Sequence, residues 1–296
     1  MTSDYTIKHS DLAAIIKIME QMHALKISMY DETFLCKTIL KRINIANLDN
    51  ITEYSAYLCS HASEAAKLFQ SLRINFSEFF RNPYLFAMLE QQILPALLSA
   101  KKKSGETQIR VWSVGCATGQ EPWSVAMLLE ELLENDTRFS YHIFATDISA
   151  EDLSYAQVGV YDQKALDNVR YKYLRKFFSI ENDKFSITHQ IRNQVEFSMF
   201  DLLDTHSICP AESLYGDFDL IICCNLLFYY QPDVLRIILK KLYQALAHNG
   251  YFMTGETEVE LVAHQGYFQA LTPPNAIFKK NIHHVIAPTN SAHREI

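Results

Sequence analysis

Apolar positions along the chain change their period near residue 109. From residue 11 to 25, Leu12, Ile15, Ile16, Met19 and Met22 recur at helical spacing, which predicts a helix with one apolar face. Residues 31–46 open on acids and end on Lys41-Arg42, the charge order that the helix dipole favours. Residues 52–72 predict one or two more helices, so a small helical domain is expected over 1–74. Residues 75–108 then form a linker and a connecting helix: Pro83 suits a helix start, the helix runs over 84–99, and KKKSGETQ (101–108) predicts a loop. From Ile109 the pattern becomes short apolar runs. IRVWSVGC (109–116), YHIFATDI (141–148), VEFSMFD (195–201), DFDLIICCN (217–225) and YFMT (251–254) predict five buried strands. Between them, Val125, Leu128, Leu129, Leu132 and Leu133 mark one helix face. Leu235, Ile238, Leu239, Leu242 and Leu246 mark another over 232–247, closed by Asn249-Gly250. Residues 268–281 predict a hairpin and 283–296 a polar tail. Strand alternating with helix over 109–282 predicts a doubly wound α/β domain.

Composition narrows the class. The 296 residues are 49% hydrophobic and 21% charged, a globular balance that excludes a disordered chain. A net charge of −7 argues against nucleic acid as a partner, since phosphate recognition needs basic surface. The segment MTSDYTIKHSD lacks the apolar core of a secretory leader. The apolar stretch 218–230 is interrupted by Asp219 and Asn225 and is too short to cross a bilayer. Six cysteines, with no C-x-x-C pair, read as reduced, buried thiols, and the expected location is cytoplasmic.

Glycine is rare and absent before Gly105, so Gly115-Cys-Ala-Thr-Gly119 after the first strand stands out. Together with Asp147, which ends the second strand, it has the form of a nucleoside crevice. Glycines let backbone approach the ligand and the acid takes ribose hydroxyls, although any strand-to-helix turn can require glycine. The following helix begins Gln120-Glu121. A carboxylate there repels a pyrophosphate but suits the ammonium and sulfonium of S-adenosylmethionine (SAM). Asp201, at the end of the third strand, is in position to accept from an adenine amino group.

These residues resemble the CheR-type chemotaxis receptor methyltransferases, which use SAM to methylate glutamate side chains of chemoreceptors. The likeness covers about residues 30–281. It is carried by N-x-[T/S]-x-F-F-R (Asn75, Ser77, Phe79, Phe80, Arg81), VWSVGCATGQEPWSVAM (111–127), ATDI (145–148), NLLFY (225–229) and G-x-x-E (255–258). It implies a helical N-terminal domain and a Rossmann-like class I SAM-methyltransferase domain with a small antiparallel β-subdomain, here near 177–198. It implies that Asn75, Ser77 and Arg81 line the methionine end of SAM and that Gly115, Glu121, Cys224 and Asn225 also belong to its site. Asp147 then binds the ribose, Asp201 and Leu202 flank the adenine, and Arg81 and Tyr229 are the catalytic pair. No metal is implied: a glutamate is already ionised near neutral pH, so transfer needs positioning and exclusion of water. His206 with Cys209, and His283-His284, make no credible metal set.

Several positions depart from the family pattern. Cys224 stands where arginine is usual, Glu256 where a neutral residue is usual, and Gln120 where glutamate is frequent; Cys36 and Thr38 occupy helix positions often held by arginine. The expected function is protein-glutamate O-methylation yielding S-adenosylhomocysteine (SAH). The alternatives are a non-catalytic SAM- or SAH-binding signalling module and a methyltransferase with another acceptor. The partner implied is the cytoplasmic domain of a methyl-accepting chemoreceptor, met by Lys37, Lys41 and Arg42 on one helix. Some relatives tether to a C-terminal pentapeptide of the receptor through a glycine-containing loop. Residues 179–187 contain no glycine, so a direct, tether-independent encounter is expected.

Overall fold

The computed structural model describes residues 7–73, 75–271 and 276–281. Four helices, α1 (His9–His23), α2 (Glu32–Ile45), α3 (Ile51–Ser60) and α4 (Ala62–Ser71), bury Leu12, Ile15, Met19, Leu35, Ile39, Leu58 and Leu68 in a core of their own. Asp31 and Asn50 cap α2 and α3, each side chain accepting the backbone N–H three residues on.

Next come α5 (Pro83–Met88), a π-helical turn at Leu89–Ile93, and α6 (Leu94–Ser104). Pro95 cannot donate to the ladder, and the wider turn just before it absorbs the mismatch. The helix also runs further than the sequence predicts. Lys101–Ser104 are helical rather than loop because Gly105, at φ +79°, closes the end with its N–H on the Lys101 carbonyl. Lys101 is buried there, 2.8 Å from Asp219.

The main sheet is built from β1 (Gln108–Val114), β2 (Ser140–Asp147), β6 (Val195–Met199), β7 (Phe218–Cys223), β8 (Leu246–Thr254), β9 (Phe268–Ala270) and β10 (Ile277–Lys280). A smaller sheet holds β3 (Val160–Asp162), β4 (Phe178–Glu181) and β5 (Lys184–Ile187). The main order is β6-β2-β1-β7-β8-β10-β9, parallel through β8, with β10 antiparallel to both neighbours. The chain works outward from β1 to one side and then to the other. The crevice between β1 and β7 is therefore the switch point at which such sheets bind ligands. Helix α7 (Gln120–Leu133) covers one face and helix 232–245 the other, each over its own apolar cluster.

Three predicted boundaries shift. The helix expected over 232–247 ends at Ala245, and Leu246 already pairs with Phe218. Gly250 lies in the strand, where a Cβ would sit 2.8 Å from the Leu246 side chain and 2.9 Å from the Phe218 carbonyl. The third strand stops at Met199, which leaves Asp201 in the loop beyond it. The small antiparallel sheet spans 160–187 rather than 177–198, because Val195–Met199 pair with β2 in the main sheet. Its hairpin turn corrects another expectation. Asn182 and Asp183 take φ of +48° and +60°, so the turn needs no glycine. The missing glycine therefore carries no conclusion about tethering.

The helical region is tied to the sheet by backbone. The Asp31 N–H donates to the Tyr229 carbonyl at 2.8 Å and the Gln231 N–H to the Met29 carbonyl at 3.0 Å, while the Tyr30 and Tyr230 rings stack at 5.7 Å. Phe79 and Phe80 dock the linker: Phe79 packs edge-on against Tyr161 and Phe178, and Phe80 stacks on Tyr173. Of the cysteines expected to be buried, Cys116 and Cys223 are, whereas Cys59 is exposed on α3. No helix of the described residues is long and apolar enough to cross a membrane. The predicted tail and His283-His284 lie outside the described residues.

Candidate active site

The C-terminal ends of β1, β2 and β7 open into a cleft walled by Gly115, Asp147 and Asn225 together with linker residues Ser77 and Arg81. Its floor is the turn after β1. Gly119 caps α7 at φ +91°, and a Cβ there would lie 2.7 Å from the Ala156 Cβ, so only glycine lets the turn close against the neighbouring helix. Ala117 is also held at positive φ, and its N–H donates to Asp147 Oδ2 at 2.9 Å. Asp147 Oδ1 accepts from the Ser149 N–H. Burial pushes the Asp147 carboxyl up, and these backbone donors oppose the shift. The carboxylate is thus fixed at the strand end with lone pairs left for a ligand's hydroxyls.

Glu121 sits on the first turn of α7 and accepts from Ser113 Oγ, on β1, at 2.7 Å. Burial pushes its carboxyl up to about 7. The Ser113 bond, the Arg81 charge and the Cys224 thiol pull the other way, and Glu258 adds to the rise. A cation bound beside it would favour the charged form. Arg81 donates to the Phe76 carbonyl at 3.2 Å and lies 5.0 Å over the Phe76 ring, which folds the linker back on itself along the cleft wall. The Phe80 N–H on Ser124 Oγ anchors that fold to α7.

Ser77, Arg81, Gly115, Glu121, Asp147 and Cys224 share the cleft wall, joined by Asn225 and Tyr229. Asp201 and Leu202 stand in the adjoining apolar recess with Phe200 and Ile148, and Asp201 Oδ1 accepts from the Leu203 N–H. Asn75 is set apart. It lies on the outer side and reaches Asp152, a cleft residue, at 3.4 Å. Burial raises Tyr229, whose ring contacts Phe34 of α2 at 4.7 Å. Tyr229 also faces an outer groove lined by Lys37, Lys41, Arg73 and Phe228.

Arg42 corrects the expected basic face. It is 9% exposed and forms a two-pronged pair with Glu64, at 2.8 and 2.7 Å, and Glu64 also accepts from the Tyr54 hydroxyl. A buried ion pair joining α2 to α4 is not available to a partner. Only Lys37 and Lys41 remain of the predicted trio.

Two features escape sequence reasoning. Leu25, Met29 and Tyr30, from the helical region, close over the apolar recess, while Tyr230 lines it from the α/β side. Glu258, at 0% exposure, accepts from the N–H groups of Asn225, Leu226, Leu227 and Gly255 and from the Thr254 hydroxyl. It holds the ends of β7 and β8 in register above the cleft. The G-x-x-E spacing was its signal, without saying that the acid faces inward.

A parallel sheet ending in an antiparallel strand pair, a glycine turn at its switch point, an acid at the end of β2 and a partly buried carboxylate opening α7 define a class I SAM-dependent methyltransferase. The cleft offers carboxylates, a guanidinium and an adjoining apolar recess. Residues 75–277 match the family described as CheR methyltransferase, SAM binding domain, and the chain belongs to that family. Relatives agree. The chain is 27% identical to a chemotaxis protein methyltransferase of Borreliella burgdorferi, over 85% of this chain and 89% of that one. It is 32% identical to chemotaxis protein methyltransferase 1 of Pseudomonas aeruginosa, over 64% and 67% of the two chains. It is 26% identical to the chemotaxis protein methyltransferase of Escherichia coli, over 87% of each. Among the described residues no cluster of His, Cys, Asp and Glu is arranged to hold a metal ion.

Proposed function

We propose that the protein transfers the methyl group of SAM to glutamate side-chain carboxylates on the cytoplasmic domain of a chemoreceptor, and that it works in the cytoplasm. The observation that carries this reading is the junction at Tyr229, which lines both the donor cleft and the groove bearing Lys37 and Lys41. An acidic helix seated on that groove would bring a carboxylate to the mouth of the cleft. In this reading Asp147 binds the ribose, Asp201 and Leu202 flank the adenine, Glu121 takes the ammonium, and Arg81 forks the methionine carboxylate. Ser77, Gly115, Cys224 and Asn225 complete the donor wall, and Asn75 acts through Asp152. Tyr229 shields the reacting centre from water. A glutamate carboxylate needs no base, so the protein supplies orientation and a dry site.

Cell membranes incubated with the protein and methyl-labelled SAM test this. Label appearing on receptor-sized proteins and released by mild alkali, as esters are, supports the proposal. Binding of SAM without transfer, or alkali-stable label, contradicts it.

A further inference from the structure

Between the donor cleft and the outer groove stand three side chains that line both spaces: Arg73, Phe76 and Tyr229. Lys37 and Lys41 line the groove but not the cleft. Arg81 lines the cleft but not the groove, bonds the Phe76 carbonyl and acts on Glu121. Arg73 is thus the one cation among the described residues common to both. Its guanidinium is exposed and rests 5.2 Å from the centre of the Phe69 ring. No carboxylate among the described residues forms an ion pair with it; of the acids that line the same two spaces, Asp31 caps α2 and Asp152 is bonded to Asn75. Its charge reaches inward as well, opposing the rise that burial imposes on Tyr30.

We infer that Arg73 receives the acceptor's side-chain carboxylate at the mouth of the cleft and sets the preference for a carboxylate over its amide or its methyl ester. This rests on the function proposed above and names the residue that recognises the acceptor. The guanidinium fork matches a carboxylate with parallel donors, and stacking on Phe69 holds the fork while leaving its edge free. A carboxylate oxygen then bonds to the methyl carbon as the carbon–sulfur bond breaks. The electron pair of that bond stays on sulfur, the sulfonium becomes a thioether, the carboxylate becomes a neutral ester, and no proton moves. The same step removes the charge that Arg73 held, so substrate is gripped and product released by one side chain. Phe69 belongs to α4 and Arg73 follows its end, so the residue sits on the helical region that also carries the lysines.

The test uses the full-length protein, methyl-labelled SAM and a recombinant chemoreceptor cytoplasmic fragment from the same cells. Arg73→Ala and Arg73→Gln should each raise KM for the fragment about tenfold or more, the scale of one lost charge-assisted hydrogen bond, with SAM affinity by calorimetry unchanged within twofold. Arg73→Lys should recover part of the loss. Fully methylated fragment should inhibit the wild type far less than unmodified fragment competes, and Arg73→Ala should erase that difference. An unchanged KM in both neutral variants of an active protein overturns the inference. So does a parallel loss of SAM affinity, which would assign Arg73 to the donor site. Absence of transfer by the wild type overturns the proposed function itself, and this inference with it.

Discussion

The donor cleft and the acceptor groove meet at Tyr229 yet are built by opposite means. The cleft is assembled from strand ends, and two of its carboxylates are partly buried and fixed by neighbouring donors, Asp147 by backbone N–H groups and Glu121 by Ser113, while the buried Glu258 ties together the loops after β7 and β8. The groove runs between α2 and the linker, with the two lysines of α2 in solvent and no fixed partners for them among the described residues. A small ligand of constant shape rewards rigid, desolvated polar groups. A protein helix arriving from solution is met by exposed charge, which guides encounter more than it adds affinity. Variants on the two sides should therefore fail differently.

The largest effect is expected where the cleft depends on one buried acid. Glu258→Ala strands several buried N–H groups at once and should cost about 4 kcal/mol of stability in chemical denaturation. A loss under 1 kcal/mol would mean that the loops after β7 and β8 hold themselves.

Glu121 should show the cost of a preformed binding carboxylate. Its folded pKa is raised from 4.5 to about 7, chiefly by burial, so between those values the folded state binds the extra proton. The stability that protonation confers is full below pH 4.5 and is lost as pH rises through about 7, an amount of at most about 3 kcal/mol. Glu121→Gln should flatten that slope, stabilise the protein above pH 7 and weaken SAM binding. In the wild type, SAM binding near pH 6.5 should release protons, read from calorimetric heats in buffers of different ionisation enthalpy. A pH-independent stability difference between the two proteins would refute the assignment.

Asp147→Ala should weaken SAH binding by about 1.5–3 kcal/mol, roughly tenfold to a hundredfold, while leaving the groove intact. Equal affinity in titration calorimetry would remove Asp147 from the ligand. The smallest change in stability belongs to the groove. Lys37→Glu with Lys41→Glu should alter it by under about 0.5 kcal/mol and leave SAH affinity unchanged, yet slow transfer to receptor, with the wild-type rate itself falling as salt rises. Charge reversal without effect on transfer would dissociate the groove from the acceptor.

How much of this was legible in the sequence follows the same division. The strands, the glycine turn, Asp147 and Glu121 stand close together along the chain, and local period and spacing carry them. Contacts across the chain were hidden. Met29 and Tyr30 meet Tyr229, Tyr230 and Gln231 through backbone bonds that no local pattern announces. The placement of Arg42 was readable, however. Leu35, Thr38, Ile39 and Arg42 follow the spacing of the buried face of α2, whereas Lys37 and Lys41 fall on the other side. Adjacent Lys41 and Arg42 cannot share one face, because neighbouring helix positions are turned by about 100°. At the hairpin, Asn182-Asp183 takes the left-handed conformation that glycine was expected to supply, because short polar side chains tolerate it.

The destination of the methyl group decides the proposed function. Receptor cytoplasmic fragment incubated with the protein and SAM, digested, and mapped by mass spectrometry should carry methyl esters on glutamate side chains, formed by the wild type and strongly reduced with Asp147→Ala. Methyl groups on lysine or cysteine, or none above the level without enzyme, would contradict it.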